Sequence, residues 1–255
     1  MTPSQFLVRG LLAGFIAGLA AFGVAHVVGE PSVNAAIAIE ESHADHHAHA
    51  DDDASDHMPV VSRHNQSTWG LLTGTVGVGV ALGGIVALAS AFAMGRLGRL
   101  TPRQSTALVT GIGFVAVALV PFLKYPANPP AVGNPDTISH RTELYFAMLG
   151  IAVLAAIAET VFGALLFKRG NSAYIATVLP IVGYIAVIGV TTVLLPSVHE
   201  VGAFPADVLW SFRTASILTN AALWLALGIV LTGLIGHLHA RESAAQARRD
   251  LAASL

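Results

Sequence analysis

Five histidines, His43, His46, His47, His49 and His57, fall within fifteen residues, and seven carboxylates stand around them between Glu40 and Asp56. The stretch reads ESHADHHAHADDDASDH, with His64 close behind it. Neutral imidazole and carboxylate together suit borderline divalent ions such as Co(II), Ni(II), Zn(II) or Cu(II). The spacing is irregular, which argues against one fixed tetrahedral site and for a loose, multi-site cation sponge. A solvated acidic loop is the plainer account, but chance explains so many histidines poorly. The segment has almost no apolar content, cannot bury a core, and is expected to be disordered without a ligand. The 255 residues include no cysteine, so thiolate is excluded from any ligand set.

The fragment HADHH also fits the H-x-x-H-H pattern of a membrane di-iron oxygenase. Such an enzyme needs further histidine boxes on the same face and rigid positioning of each. The other dense pair, His237 with His239, is expected on the opposite face, and the acidic stretch is not rigid. No H-E-x-x-H, G-x-S-x-G or P-loop motif is present. The chain is therefore read as having no catalytic residues, and the histidine-box enzyme is the last of three readings. The second is a metal-binding accessory or sensor protein that conducts nothing.

The elements that carry these residues are apolar. Hydrophobic residues make up 54% of the chain and charged residues only 11%, against about 25% charged in soluble domains. Mean hydropathy is +0.68. Six runs reach the ~20 residues needed to cross a bilayer: Phe6–Val28, Trp69–Met94, Ser105–Leu123, Leu144–Phe167, Ala173–Leu195 and Phe212–Gly236. The fold expected is an all-α, polytopic membrane protein in one membrane domain. It has six transmembrane helices, a His/acid-rich loop at 40–64 and a tail from 237. The first run is read as a retained helix rather than a signal peptide, because it is too long for an h-region.

Charge sets the expected orientation. Arg9, Arg96, Arg99, Arg103, Lys168, Arg169, Arg241, Arg248 and Arg249 fall on one side of these runs; Arg63, Lys124, Arg141 and Arg213 fall on the other. The positive-inside rule then puts both termini in the cytoplasm and the histidine loop outside, across a bacterial inner membrane. Twelve of the fifteen acids share the outer face. That face should concentrate cations within about a Debye length, ~8 Å. Nothing points to nucleic acid.

A few polar groups lie at or in the membrane. Glu159 is the one acid well inside an apolar run, where a carboxylate is costly; it is either a cation or proton relay or a helix anchor. His26, near the outer end of the first run and just before Glu30-Pro31, is placed to hand a metal inward or simply to cap a helix. Arg213, Asn220 and Trp224 share one stripe of the last helix, with Asn220 a typical interhelical hydrogen-bonding residue. Pro180 predicts a kink in the fifth helix. KYPANPPAVGNPD and LPSVHEVGAFPADVLW are expected to form a lid over a cavity on the outer face. Gly10, Gly14 and Gly18 make a ridge for close packing, within the chain or against a partner helix such as a second copy.

Taken together, VVGEP, the histidine-rich first loop, VPFLKYPANPPAVGNPDT and FPADVLWSFRTASILTNAALW make the chain resemble the CbtA family, the predicted cobalt transporter subunits. The resemblance spans nearly the whole chain, and its more specific parts are the proline loop and the segment from Asn220 to Trp224. Family members are often described with five helices; this chain reads as six. The resemblance implies cobalt uptake linked to cobalamin synthesis, with a small membrane partner, CbtB. The matching positions are Glu30, Pro31, Lys124, Pro126, Pro129, Pro130, Pro205, Arg213, Asn220 and Trp224. The expectation is therefore a membrane subunit of a divalent-metal importer carrying Co(II), with Ni(II) and Zn(II) as alternatives and no tightly bound cofactor. The loop histidines, with His64 and His26, gather metal. Glu30, Glu159 and Asn220 mark its route, and Arg213, Trp224 and Pro180 hold the frame.

Overall fold

The computed structural model describes residues 2–48 and 62–254, and the side chains of 2–42 and 62–254. Among them there is no strand. Six helices are long and apolar enough to cross a membrane: α1 (Pro3–Ser42), α2 (Arg63–Ala93), α3 (Pro102–Lys124), α4 (Pro135–Lys168), α5 (Ala173–Leu194) and α6 (Ala206–Ala253). The chain is a multi-pass membrane protein. In a bilayer only such internally hydrogen-bonded helices, or closed barrels, satisfy the backbone.

Most helices outrun the hydropathy boundaries, because polar caps and good helix formers extend them past the lipid. Thr101 and Gln104 form a reciprocal capping box ahead of α3, with Pro102 at its first position. α6 runs on to Ala253 through a tail rich in alanine and arginine. The largest difference is in α1. Its helical backbone continues to Ala48, so the first part of the segment expected to be a disordered His/acid-rich loop is helical instead. The sequence VNAAIAIEESHADHHA explains it: it is alanine-rich and free of glycine, and its nearest proline, Pro31, falls in the first turn after Glu30.

α1 and α2 form the tightest pair. The glycine ridge of α1 packs within the chain, on Gly79 and Gly83 of α2. A Cβ added to Gly83 would lie 2.8 Å from the Cα of Gly14, and one added to Gly79 would lie 2.9 Å from the Cα of Gly18. α6 closes the core against this pair and α3, burying Leu227, Leu231 and Ile235 completely with Phe6, Ala13, Ala17 and Trp224. These α6 positions recur every three to four residues, the period of one helix face.

α4 and α5 stand to the side as a second pair. They join the body through Val120 of α3, Met148 and Ala152, with Tyr184 and Ile188 packed on them. α5 turns Ile181, Val182, Ile185 and Val190 outward. Pro180 is buried on Gly163 of α4. Proline cannot donate to the carbonyl four residues back, so the Ala176 carbonyl is freed. That carbonyl lies 2.8 Å from where a Gly163 Cβ would be.

Candidate functional site

The start of α1, the turns at 95–101 and 169–172 and the stretch of α6 around Gly236 lie at one end of the bundle; the other end, the loop face, carries the long connections. There a cavity of about 1110 Å³ opens between the body and the α4–α5 pair. Its walls come from α1 (Glu30, Val33), α2 (Leu71), α3 (Phe122, Lys124), α4 (Arg141, Tyr145), α6 (Arg213, Asn220) and both proline-bearing loops.

Each of the three wide π-helical turns in the described chain touches or adjoins this cavity. The first is Ala25–Gly29, whose Ala25 and Gly29 are wall residues. The second is Phe114–Leu119, which contributes Val117 and Ala118. The third is Gln66–Gly70, followed directly by the wall residue Leu71. Such turns inside α-helices are rare and concentrate at functional sites. After the second, regular α-helix resumes at once over Val120–Lys124, with Pro121 in its first turn.

The loops are held over the cavity by their own polar groups. Lys124 Nζ donates to the Thr192 carbonyl at 2.9 Å and to Ser197 Oγ at 3.1 Å. The Tyr125 hydroxyl donates to the Pro196 carbonyl at 2.7 Å, and burial raises its pKa. Arg213 donates to Asn128 Oδ1 at 2.9 Å and to the Ala127 carbonyl at 3.4 Å. Glu200 accepts from the Asn134 amide at 3.0 Å and the Thr137 hydroxyl at 2.8 Å, and pairs with Arg141 Nε at 3.4 Å.

These bonds to its charged form, the Asn134 amide first, then Thr137 and Arg141, hold the Glu200 carboxyl below the usual range. A depressed carboxyl pKa contributes stability above its unfolded value, ~4.3, and that contribution fades as pH falls through the folded value. The Asn134 amide should therefore stay protected from hydrogen exchange at pH 5 and lose protection at lower pH, after correction for the intrinsic rate. In Glu200→Gln the acid step should vanish. A step of equal size in that variant would remove Glu200 as its cause.

The site residues expected from sequence are scattered by the fold. Glu30 and Asn220 both line the cavity. The Glu30 carboxylate is bound by Arg63, which also reaches Asn34 Oδ1 at 3.1 Å; only 13% of the Glu30 side chain is exposed. Asn220 donates to the Ser216 carbonyl of its own helix at 3.1 Å, not across to a neighbour. One turn below, Trp224 is 4% exposed and sits against Gly113 and Phe114, ring centroids 6.4 Å apart.

His26 is exposed on the first π turn, stacked on Phe22, with Nδ1 3.0 Å from the Ser67 carbonyl on the third. It ties two π turns together. His64 is exposed at the start of α2. His43, His46 and His47 fall on the helical backbone leading to Ala48, but their side chains lie outside the described residues, as do His49 and His57 altogether. Among the described residues no three His, Asp or Glu side chains converge as metal ligands. His237 and His239 lie at the opposite end from the loop face, near Gly236, which packs on Arg103.

Glu159 is away from the cavity, on α4, facing α5. Its carboxylate lies over Gly183, where a Cβ would come within 2.6 Å of Oε1. Gly183 thus makes its berth. Nine residues separate Glu159 from Lys168 at the helix end, about 14 Å, which is near the middle of a ~30 Å hydrocarbon layer.

The Arg63 pair and the Glu200 latch escape sequence reading because their partners are 33 and more than 50 positions apart. Their one sequence signal is ordinary: cations and acids left over in loops of an apolar chain.

In comparison with known proteins, the family described as "Probable cobalt transporter subunit (CbtA)" matches residues 4–236. No curated protein and no solved structure matches the chain.

Proposed function

The chain belongs to the CbtA family of probable cobalt transporter subunits, and from that premise we propose that it is the membrane subunit of a divalent-metal uptake system carrying Co(II). The loop face is extracytoplasmic. The histidine-acid segment gathers metal above it, the cavity receives it, and Glu159 carries charge across the middle of the membrane along the α4–α5 seam. A small membrane subunit of the CbtB kind completes the system.

The observation that best supports this reading is the cavity itself. Two of the three route residues named from sequence, Glu30 and Asn220, line it, although they are 190 positions apart in the chain.

Two measurements test the proposal. A reporter that is active only in the cytoplasm should be silent when fused at Asp53 and active when fused after Leu255. The reverse result would sink both the orientation and the capture role. Purified chain in liposomes, with and without the small subunit, should move cobalt inward. Metal binding with no transport under either condition would leave an accessory protein instead.

A further inference from the structure

The charge of the cavity does not suit a bare dication. Glu30 is its one lining carboxylate, and Arg63 already neutralises it. Arg141, also in the wall, is matched by Glu200. Lys124 and Arg213 are not matched by any acid among the described residues. Their hydrogen bonds go to carbonyl oxygens, Ser197 Oγ and Asn128 Oδ1, all uncharged acceptors. Two cations with no acid partner among the described residues therefore face a half-open cavity with aromatic walls (Phe122, Tyr145, Phe146). Walls of low dielectric focus such a field.

Size points the same way. A hexaaqua ion needs roughly 180 Å³, counting six waters at ~30 Å³ each. The cavity of about 1110 Å³ is far larger. It matches or exceeds sites for small organic ligands, about 300–1,000 Å³. Guanidinium and ammonium groups together recognise carboxylates, the first by its fork and the second as a point charge.

We infer that the loop-face cavity binds a small polycarboxylate, and that cobalt reaches it as the anionic complex of such a ligand rather than as the aqua ion. The cobalt half of this rests on the transport function proposed above; the carboxylate half rests on Lys124 and Arg213 alone. The histidine-acid segment gathers metal above the cavity, and the cavity receives that metal once a carboxylate ligand has taken it up.

Calorimetry on the full chain in nanodiscs tests this, with citrate, cobalt citrate, inorganic phosphate and cobalt chloride as probes. Citrate and its cobalt complex should bind, and more weakly as salt rises. Lys124→Gln should weaken both about tenfold, and Lys124→Arg should retain them. Glu30→Gln should tighten citrate severalfold, because it releases the charge of Arg63; a misfolded variant would not gain affinity. Phosphate binding tighter than citrate would overturn the ligand class. Cobalt chloride binding to the wild type in preference to citrate, and weakened by Glu30→Gln, would overturn the site as an anion site while leaving cobalt transport standing. Citrate binding with no cobalt uptake in any form would keep the carboxylate site, overturn its cobalt half and sink the transport function.

Discussion

Gly14→Leu is expected to prevent stable assembly of the bundle. At Gly14 an added Cβ would overlap the Gly79 carbonyl oxygen and sit 2.8 Å from the Gly79 carbonyl carbon and 2.9 Å from Val80 Cα. All three are backbone atoms of α2, which cannot rotate aside. The helices must separate by the thickness of a side chain, and the contacts along the whole ridge loosen with them. In lipid those close van der Waals contacts are the principal attraction, since apolar helices gain nothing by leaving a lipid that is equally apolar. Overpacking a core typically costs 1–3 kcal/mol, and a backbone-on-backbone clash at the centre of the tightest pair should cost at least ~3 kcal/mol. Gly74→Leu is the control. Gly74 lies on the same helix as Gly79, and a Cβ there meets nothing within 4 Å. Unfolding in detergent should show Gly14→Leu strongly destabilised and Gly74→Leu close to the parent. Equal stability of the two variants would mean that the α1–α2 seam is not what holds the fold.

The seam is also where sequence reading reached furthest. Gly10, Gly14 and Gly18 are spaced for one helix face, and that periodicity survives in any environment, so both the ridge and its purpose are legible. Its partner is less so, because α2 has six glycines to choose from and only three of them, Gly79, Gly83 and Gly84, touch α1. Helix number follows from hydropathy alone, but helix ends depend on caps such as Thr101 and Gln104 that lie outside the apolar runs. That is why Pro135 to Glu143, read as loop, belongs to α4.

The cavity is a harder object. Its walls are drawn from five helices and two loops, and its charge balance depends on which acid pairs with which base. Glu30 looks available for a cation until Arg63 is seen bound to it. Asn220 looks like an interhelical bridge until Ser216 is seen to satisfy it. A polar side chain in a helix can always bond its own preceding turn, so its choice is decided by neighbours that the sequence does not reveal. Glu159 gives the opposite case. A lone acid in an apolar run announces itself, but nothing in the sequence tells which of the two glycines of α5, Gly183 or Gly189, receives it.

That berth sharpens what Glu159→Gln should do. If the residue only anchored α4 to α5, glutamine would keep its shape and its hydrogen-bonding capacity, and intramembrane hydrogen bonds average only ~0.6 kcal/mol. No hydrogen bond or ion pair of Glu159 is found among the described residues, so there is little anchoring to lose. If it carries charge for a passing ion, glutamine removes what the ion feels. Maximal cobalt uptake should then fall at least about tenfold, some 1.4 kcal/mol of barrier, and more metal should not restore it. Deleting residues 43–57 should act differently. A collector raises local metal concentration without defining a path, so uptake should fail at scarce cobalt and recover when cobalt is abundant. Uptake measured against cobalt concentration, at matched protein levels in the membrane, separates the two. Near-normal maximal uptake in Glu159→Gln would remove Glu159 from the mechanism. A loop deletion that abolished uptake even at saturating cobalt would show that the histidines belong to the path, and the cavity would then receive its metal from them directly.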